Sequence, residues 1–395
     1  MPGPSQDIST RRLAPGTERL RELAAKVAVD ELSPAADRID REGTWPREGL
    51  RALGKCGLLG LHVPESLGGL NEGLLGLAVV TEELGKACSS TAMCFGMHSV
   101  ATKGIAAKAT PFQKEHFLKP ISQGRHVTTL ALSESATGAH FFLPRAQVRT
   151  DGDRYVVSGE KSFVTSGGYA DSYVVSVVPP GSELDPGAFT CLAIERDAVG
   201  LEWTTGWDGL GMRGNSSRAV RLNEVQVPLV NLLGAEGDQI WYVFEVVAPY
   251  FIVAMAGVYL GIAQAAYDIA VTHLKSRRHS HSGETLSEQP VLADQIADMW
   301  IAIQRTRQLV HHAARMADDG DPEASLAIFA CKADVAATAT RVTQSALELS
   351  GGRGYADNSK IARLLRDAQA SHVMSPTTHL LKKWLGRSLL GLPPL

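Results

Sequence analysis

Apolar and polar residues alternate at helical spacing through residues 15–127. Leucine and alanine recur every three or four positions with charged residues between them, as expected for amphipathic helices. A glycine-containing loop at residues 64–69 interrupts the pattern, because its glycines break any helical period. The predicted helices are residues 17–25, a helix that starts at Trp45-Pro46 and stops at Gly57, and residues 74–86 and 89–107.

The pattern changes near Thr128 from helical spacing to short runs of β-branched and aromatic residues. Such runs, bounded by glycine, aspartate and proline turns, predict strands. The predicted strands are residues 155–159, 172–178, 189–194 and 219–222. Turns around Val227-Pro228 and Gly234 end this block, which we place at residues 128–236.

Helical spacing returns after residue 237 and continues to the C-terminal end. Residues 290–318 and 324–350 are long and amphipathic, and small residues around Gly261 suit tightly packed helices. Helices, then strands, then helices predict an α+β fold with three domains, at residues 1–127, 128–236 and 237–395. A GxGxxG motif does not follow any predicted strand, which argues against a nicotinamide-binding Rossmann domain.

Composition and charge argue against several classes of function. The 395 residues are 44% hydrophobic and 21% charged, and the net charge of −3 includes no long charged block, so neither nucleic acid nor a membrane surface is expected as a partner. The longest apolar run, about residues 246–266, is broken by polar and small residues and is predicted to be a buried helix. Five scattered cysteines without a CxxC motif indicate free thiols, no metal site and a cytoplasmic location.

Five motifs occur in an order and spacing that indicate a known family. They are the 64–69 loop Pro-Glu-Ser-Leu-Gly-Gly, the 131–134 strand Ala-Leu-Ser-Glu, the 159–167 hairpin Gly-Glu-Lys-Ser-Phe-Val-Thr-Ser-Gly, a pair of strands at 210–214 and 225–228, and a tail that contains Gly351-Gly352-Arg353-Gly354-Tyr355, Arg366-Asp367-Ala368 and Met374-Ser375-Pro376-Thr377. With these motifs the chain resembles the acyl-CoA dehydrogenase superfamily across about residues 15–390.

The resemblance implies an acyl-CoA dehydrogenase-like FAD flavoprotein. Its central β-barrel domain would lie between an N-terminal helical domain and a C-terminal four-helix bundle, and the chain would assemble as a homodimer or homotetramer. The flavin would bind at Leu132, Ser133, Phe163 and Thr165. An isoalloxazine ring needs an apolar wall and polar contacts along one edge, which an aromatic ring and two hydroxyl groups can supply.

The resemblance assigns the rest of FAD to residues outside the central domain. The family's pyrophosphate site uses an arginine and a glutamine eleven residues later, from a neighbouring subunit, and Arg278 precedes Gln289 at that spacing. A guanidinium fork suits a pyrophosphate, although a solvated basic loop is the alternative interpretation. The other FAD positions that the resemblance implies are Ser280, His281, Glu348, Gly351, Gly352, Thr377 and His379.

The resemblance also implies a glutamate base at one of two positions, and neither position holds a carboxylate here. The position in the tail is Ser375, and the position on the first helix of the C-terminal domain is Phe251. A base must reach the proton on the α-carbon and must have a suitable pKa. His140 and His379 are the remaining leads, because histidine has a suitable intrinsic pKa near neutrality.

Three functions therefore stay open. The first is FAD-dependent α,β-dehydrogenation of an acyl thioester carried by CoA or a carrier protein, with an electron-transfer partner. The second is a monooxygenase of the same fold that uses reduced flavin and O₂ and needs no such base, because residues 207–213, Trp-Asp-Gly-Leu-Gly-Met-Arg, resemble that class. The third is a non-catalytic fold that binds a thioester or a protein partner.

Overall fold

The computed structural model describes residues 13–204, 206–278, 280 and 283–394. The N-terminal domain is helical, as predicted, and α4 and α5 below are buried on nearly all sides. Its helices are α1 (Pro15–Val27), α2 (Ser33–Glu42), α3 (Arg47–Lys55), α4 (Leu74–Ala87), α5 (Ser89–Ala107), α6 (Pro111–Gln113) and α7 (Lys119–Ser122).

The central domain is a β domain, as predicted, and its strands form two four-stranded sheets. The strands are β1 (Thr128–Ala131), β2 (Gln147–Asp151), β3 (Arg154–Val164), β4 (Ser172–Val177), β5 (Thr190–Glu195), β6 (Leu201–Trp203), β7 (Arg218–Pro228) and β8 (Leu232–Leu233). One sheet has the order β1-β4-β5-β8 and the other β2-β3-β7-β6. Alternate residues of the two sheets, such as Tyr155, Val175 and Leu192, fill a shared core between them.

Two motif segments differ from their predicted conformations. Residues 159–167 do not form a hairpin, because β3 ends at Val164 and the chain crosses to β4 in the other sheet. Residues 210–214 form a loop and a short 3₁₀ turn instead of a strand. The reason is that Met212 has a φ of 52° and its N–H donates to the buried Asp367 carboxylate at 2.7 Å, which fixes the loop away from a sheet.

The C-terminal domain is helical, as predicted. Its helices are α8 (Gln239–Trp241), α9 (Ala248–Ser276), α10 (Pro290–Asp318), α11 (Ala324–Gly354), α12 (Lys360–Val373) and α13 (Thr378–Leu389). The continuous helical run Gln239–Ser276 is long and apolar enough to cross a membrane by length and composition alone, but 89% of its apolar window is buried inside the fold. The prediction of a buried helix at about residues 246–266 is confirmed.

Glycines allow α4 and α9 to approach each other closely. A Cβ atom at Gly261 would lie 2.3 Å from the backbone oxygen of Glu82, and one at Gly257 would lie 2.1 Å from Thr81 Oγ1. The Glu82 carboxylate also accepts a hydrogen bond from Arg307 at 2.8 Å, which joins α4 to α10. The helices of the N- and C-terminal domains therefore share one continuous core.

Candidate flavin and substrate cleft

A cleft lies where the three domains meet. Its cavity volume is about 50 Å³, which is smaller than the roughly 300–1,000 Å³ of a usual ligand site, and the cleft is partly open to solvent. The lining comes from α5, from β1 and the loop after it, from β3 and from the start of α9 with the residue before it. It is completed by the last turn of α12 and the residues that follow it, here called the tail turn (residues 371–376). The lining residues are Met97, Leu130, Leu132, Ser133, Phe141, Ser162, Phe163, Val247, Phe251 and Ser375.

Phe163 forms an exposed aromatic wall at one side of this cleft. Its side chain is 64% exposed and its backbone φ is 55°, in the left-handed region. A register shift between Lys161 and Val164 in the β3–β7 pairing turns it out of the sheet, and the Trp207 ring lies edge-on with its centroid 6.4 Å away. An exposed ring and a left-handed φ are each unfavourable for phenylalanine alone. The arrangement fits a planar ring, such as an isoalloxazine, stacked against this side chain.

A buried ion pair supports the same wall from behind. Lys161 Nζ lies 2.5 Å from Glu134 Oε1 and also donates to Ser176 Oγ at 3.1 Å. The Glu134 carboxylate accepts further hydrogen bonds from the backbone N–H groups of Arg145, at 2.9 Å, and Ala146, at 3.1 Å. The carboxylate is therefore engaged in joining residue 134 to Lys161 and to the backbone of residues 145 and 146, and it does not line the cleft.

Thr165 lies beside the aromatic wall without lining the cleft. Only 4% of it is exposed, and its hydroxyl shares a 3.2 Å hydrogen bond with Ser217 Oγ. Ser133 does line the cleft, and its carbonyl accepts a hydrogen bond from Ser162 N–H at 2.8 Å. Of the four predicted flavin-contacting residues, the structure brings Leu132, Ser133 and Phe163 to the cleft.

The two predicted positions for a base, Phe251 and Ser375, line the same cleft. Phe251 is 8% exposed. The Ser375 hydroxyl donates to the Ala139 carbonyl at 2.8 Å, which connects the tail turn to the central domain. Among the ten described residues of the lining, none is an aspartate, a glutamate or a histidine. The described lining therefore offers no carboxylate or imidazole to take a proton.

The two histidine leads lie outside the cleft lining. His140 is exposed, and its ring packs edge-on against Phe142 with centroids 5.8 Å apart. His379 is exposed in the first turn of α13. Thr377, two residues earlier, caps that helix by accepting a hydrogen bond from Leu380 N–H at 3.3 Å. Neither histidine is among the residues that line the cleft, and the role of each as a base stays a prediction.

The predicted pyrophosphate residues lie on an exposed loop away from the cleft lining. Arg278 donates to the Gly283 carbonyl at 2.8 Å, within its own loop. Ser280 is exposed in a turn, and Gln289 precedes α10 with its amide 3.4 Å from Glu284. His281 lies outside the described residues. The FAD roles of these residues stay predictions.

The predicted adenosine positions lie at the exposed end of α11. Gly351 interrupts the helix with a φ of 57° and a ψ of −150°. A Cβ atom on Gly351 or Gly352 would meet nothing within 4 Å, so the backbone here is open to a ligand. Glu348 is exposed and accepts a hydrogen bond from Gln344 at 2.9 Å.

The Arg-Asp-Ala motif of the tail joins domains instead of lining the cleft. Arg366 pairs with Asp40 of α2, with one N–O distance of 3.0 Å, and donates to the Leu210 carbonyl at 3.0 Å. Asp367 holds Met212, as described above. Burial raises the pKa of Asp367, and the Met212 N–H opposes that effect. This motif therefore fixes α12, which carries the tail turn at its C-terminal end.

Lys332 of α11 is a buried residue that the sequence did not single out. Its side chain is 0% exposed, and Nζ donates to the carbonyls of Ser371 at 3.4 Å, Met374 at 3.0 Å and Pro376 at 2.8 Å. Ile328 and Val335 lie four residues before and three after, on the buried side of the helix. A lysine at such a position in an apolar stripe is the signal that could have identified it.

Comparisons with known proteins agree with this architecture. Residues 15–125, 129–225 and 251–390 match the N-terminal, middle and C-terminal domains of acyl-CoA dehydrogenase. The chain is 30% identical over 370 residues, 93% of this chain and 96% of the relative, to cyclohex-1-ene-1-carbonyl-CoA dehydrogenase of Geobacter metallireducens.

Solved structures show the same similarity. Butyryl-CoA dehydrogenase from Megasphaera elsdenii has a TM-score of 0.90 and 26% identity, covering 96% of this chain and 99% of its own. A chain from the structure of the electron transferring flavoprotein of Acidaminococcus fermentans has a TM-score of 0.91 and 27% identity, covering 96% and 98%. Proteins of the family are FAD-dependent flavoproteins. The chain therefore belongs to the acyl-CoA dehydrogenase family and is an FAD-dependent oxidoreductase.

Proposed function

We propose that this protein oxidises an acyl thioester by α,β-dehydrogenation in the three-domain cleft, without a carboxylate base at either predicted position. The observation that carries the proposal is that residues of the flavin wall, Ser133 and Phe163, line the same cleft as Phe251 and Ser375. One ligand in this cleft would touch both sets of residues. The relative from Geobacter metallireducens, a dehydrogenase of a CoA thioester, supports the substrate class.

The side chains of the cleft bind and orient the ligand, and they limit the access of water to it. When bound, FAD supplies the acceptor for a hydride. Phe163 offers one ring face to the flavin, and Ser133 offers a hydroxyl at the same wall. Met97, Phe141 and Phe251 are each at most 8% exposed and close the cleft with apolar surface. A compact and apolar acyl site follows, because these three side chains leave little room for a long chain.

The fate of the α-proton separates this cleft from one that contains a glutamate. Dehydrogenation takes a proton from the α-carbon and a hydride from the β-carbon, and a positioned base accelerates proton removal by about 10²–10⁴-fold. The Ser375 hydroxyl is an alcohol that already donates to Ala139, so it is a poor proton acceptor. We infer that a water molecule at the open side of the cleft takes the proton and that oxidation of a simple acyl thioester is slow.

Anaerobic mixing of the FAD-bound protein with a panel of acyl-CoA thioesters tests this proposal. Slow bleaching of the oxidised flavin absorbance by a short or compact acyl-CoA, with formation of the enoyl-CoA, is the expected result. Butyryl-CoA and a C12 acyl-CoA form a matched pair that differs in chain length alone. Complete absence of both bleaching and spectral perturbation with every thioester would overturn the proposal.

The second candidate, a monooxygenase that uses reduced flavin and O₂, is favoured by one observation. The described lining contains no aspartate, glutamate or histidine, and a reaction with O₂ needs no base at the α-carbon. The test supplies chemically reduced flavin and then air to the protein with the same thioesters. An oxygenated product that depends on both additions would support this candidate over dehydrogenation.

Partners follow from the proposed reaction. A dehydrogenase must pass its electrons onward, and we propose an electron-transferring flavoprotein as the acceptor, in line with the similarity to the structure from Acidaminococcus fermentans. The exposed loop with Arg278 and the open backbone at Gly351 support a homo-oligomer in which these surfaces reach the FAD of a neighbouring subunit. CoA and a carrier protein are both compatible thioester carriers.

A further inference from the structure

The tail turn is supported from inside the fold by a buried ammonium group. Lys332 is 0% exposed, and its three carbonyl acceptors all belong to residues 371–376. A charged group in the interior is unfavourable unless its donors are used, and a lysine ammonium has three donors. Three acceptors in one short segment give each donor a partner.

The acceptors also offset part of the cost of burying a cation at this place. The Ser371 carbonyl lies in the last turn of α12 and the Met374 carbonyl lies just beyond the end of that helix. The last carbonyls of a helix lack partners within the helix and carry partial negative charge, so they attract a cation and accept its hydrogen bonds. Lys332 of α11 thus caps the C-terminal end of α12.

The cap reaches the cleft through Ser375. Lys332 holds the carbonyls of Met374 and Pro376, the residues immediately before and after Ser375, at 3.0 and 2.8 Å. The Ser375 hydroxyl in turn donates to Ala139 at 2.8 Å. Because that hydroxyl proton is used by Ala139, Ser375 can offer an acceptor lone pair to a ligand in the cleft.

We propose that Lys332 is a positioning residue for the cleft, which holds the tail turn so that Ser375 stays at the cleft wall and bonded to the central domain. The inference rests on the proposed function in one respect, namely that the ligand in contact with Ser375 is the acyl thioester. It requires no chemistry at Lys332 itself, since this side chain does not line the cleft.

Hydrogen exchange of the full FAD-bound chain tests the support directly. In Lys332→Met, which keeps the length but loses the charge and donors, we expect exchange of the Met374, Ser375 and Thr377 amides to be about tenfold faster. Lys332→Arg keeps charge and donors and should stay within about threefold of the wild type. Thr338→Val is the matched control, because it removes a buried 2.8 Å hydrogen bond to Thr306 from the same helix without touching the turn.

Two results would overturn the proposal. One is unchanged exchange of these amides in Lys332→Met, and the other is equally faster exchange in Thr338→Val. If Lys332→Met does not fold, Lys332→Gln replaces it, since an amide retains two donors but no charge. Exchange must then be faster in Lys332→Gln than in Lys332→Arg, and equal rates would count against the proposal.

A ligand titration connects the support to the cleft. Butyryl-CoA is added anaerobically to the FAD-bound protein, and the flavin spectrum reports its binding. We expect about tenfold weaker binding in Lys332→Met, a smaller loss in Ser375→Ala, and no further loss when both changes are combined. Simple addition of the two effects would contradict a shared route. If no thioester changes the flavin spectrum of the wild-type protein, the proposed function is contradicted. The hydrogen-exchange experiment would still test the role of Lys332.

Discussion

The flavin wall and the tail turn form two sides of one cleft, and each is supported by a buried lysine with a different kind of partner. Lys161 behind the flavin wall has a carboxylate, Glu134, at 2.5 Å. Lys332 behind the tail turn has backbone carbonyls, and no carboxylate within 4.0 Å is found for it among the described residues. In a buried ion pair each charge stabilises the other, whereas a buried lysine that contacts only carbonyls is charged only while it keeps its proton. The flavin wall is thus supported by two opposite charges and the tail turn by one charge.

Removal of the carboxylate behind the flavin wall should have the largest effect. Glu134→Gln leaves the Lys161 ammonium buried without its counter-charge, which costs about 3–5 kcal/mol of unfolding free energy. Urea denaturation of the FAD-free protein measures this loss, and FAD content should fall with it. Glu195→Gln is the control, since Glu195 forms a 3.1 Å pair with His116 on the surface and its loss should cost less than about 1 kcal/mol. Equal losses in the two variants would remove the distinction between buried and exposed pairs.

The stability that depends on Lys332 should change with pH in a defined direction. Burial lowers the pKa of Lys332 from 10.5 to about 7. Between these values the unfolded chain binds a proton that the folded chain does not, so the unfolding free energy of the wild type rises with pH relative to Lys332→Met. The rise should be on the order of 3 kcal/mol across this window.

Urea denaturation at several pH values between 6.5 and 10 measures that difference. The ionisable neighbours Cys331 and His372 are present in both proteins, and the charge of Lys332 lowers the pKa of each, so the measured difference includes their response to that charge. A difference that is flat, or that falls with pH, would show that Lys332 keeps its proton in the folded state throughout.

Relief of the backbone strain at Phe163 should have a smaller effect. It should raise the stability of the FAD-free protein and weaken FAD binding. Phe163→Gly relieves the left-handed backbone and should raise the stability of the FAD-free protein by about 1 kcal/mol. The same change removes the aromatic wall and should weaken FAD binding about tenfold. Thermal unfolding and FAD titration measure the two effects. Phe163→Ala is the matched control, because it loses the ring but keeps the strain, so it should weaken binding without gaining stability.

Much of the fold could be predicted from periodicity alone. The apolar stripe at residues 290–318 coincides with α10, and the β-branched run at residues 172–178 coincides with β4 to within one residue. These elements are long or strongly patterned, so local sequence determines them. The loop at residues 210–214 could not be predicted in this way, because its shape depends on Asp367, which lies 155 residues away from Met212 in the chain.

The candidate site was predictable only in part, for similar reasons. Motif spacing identified Ser133, Phe163, Phe251 and Ser375, and the structure places all four in one cleft. The outward position of Phe163 depends on a β-bulge that strand alternation does not predict. The position of Lys332 in an apolar stripe could have indicated its burial, but its partners could not be predicted, because backbone carbonyls have no sequence signature.

The most direct test of the central claim, that this cleft lacks a base at either predicted position, is to supply one. The measurement is the anaerobic rate of flavin bleaching by butyryl-CoA in the wild type, Ser375→Glu and the uncharged control Ser375→Gln. We expect Ser375→Glu to be faster than the other two by about 100-fold or more, since a positioned carboxylate can then accept the α-proton. A wild type that bleaches as fast as Ser375→Glu would contradict the claim, because another group in the cleft would already be acting as the base.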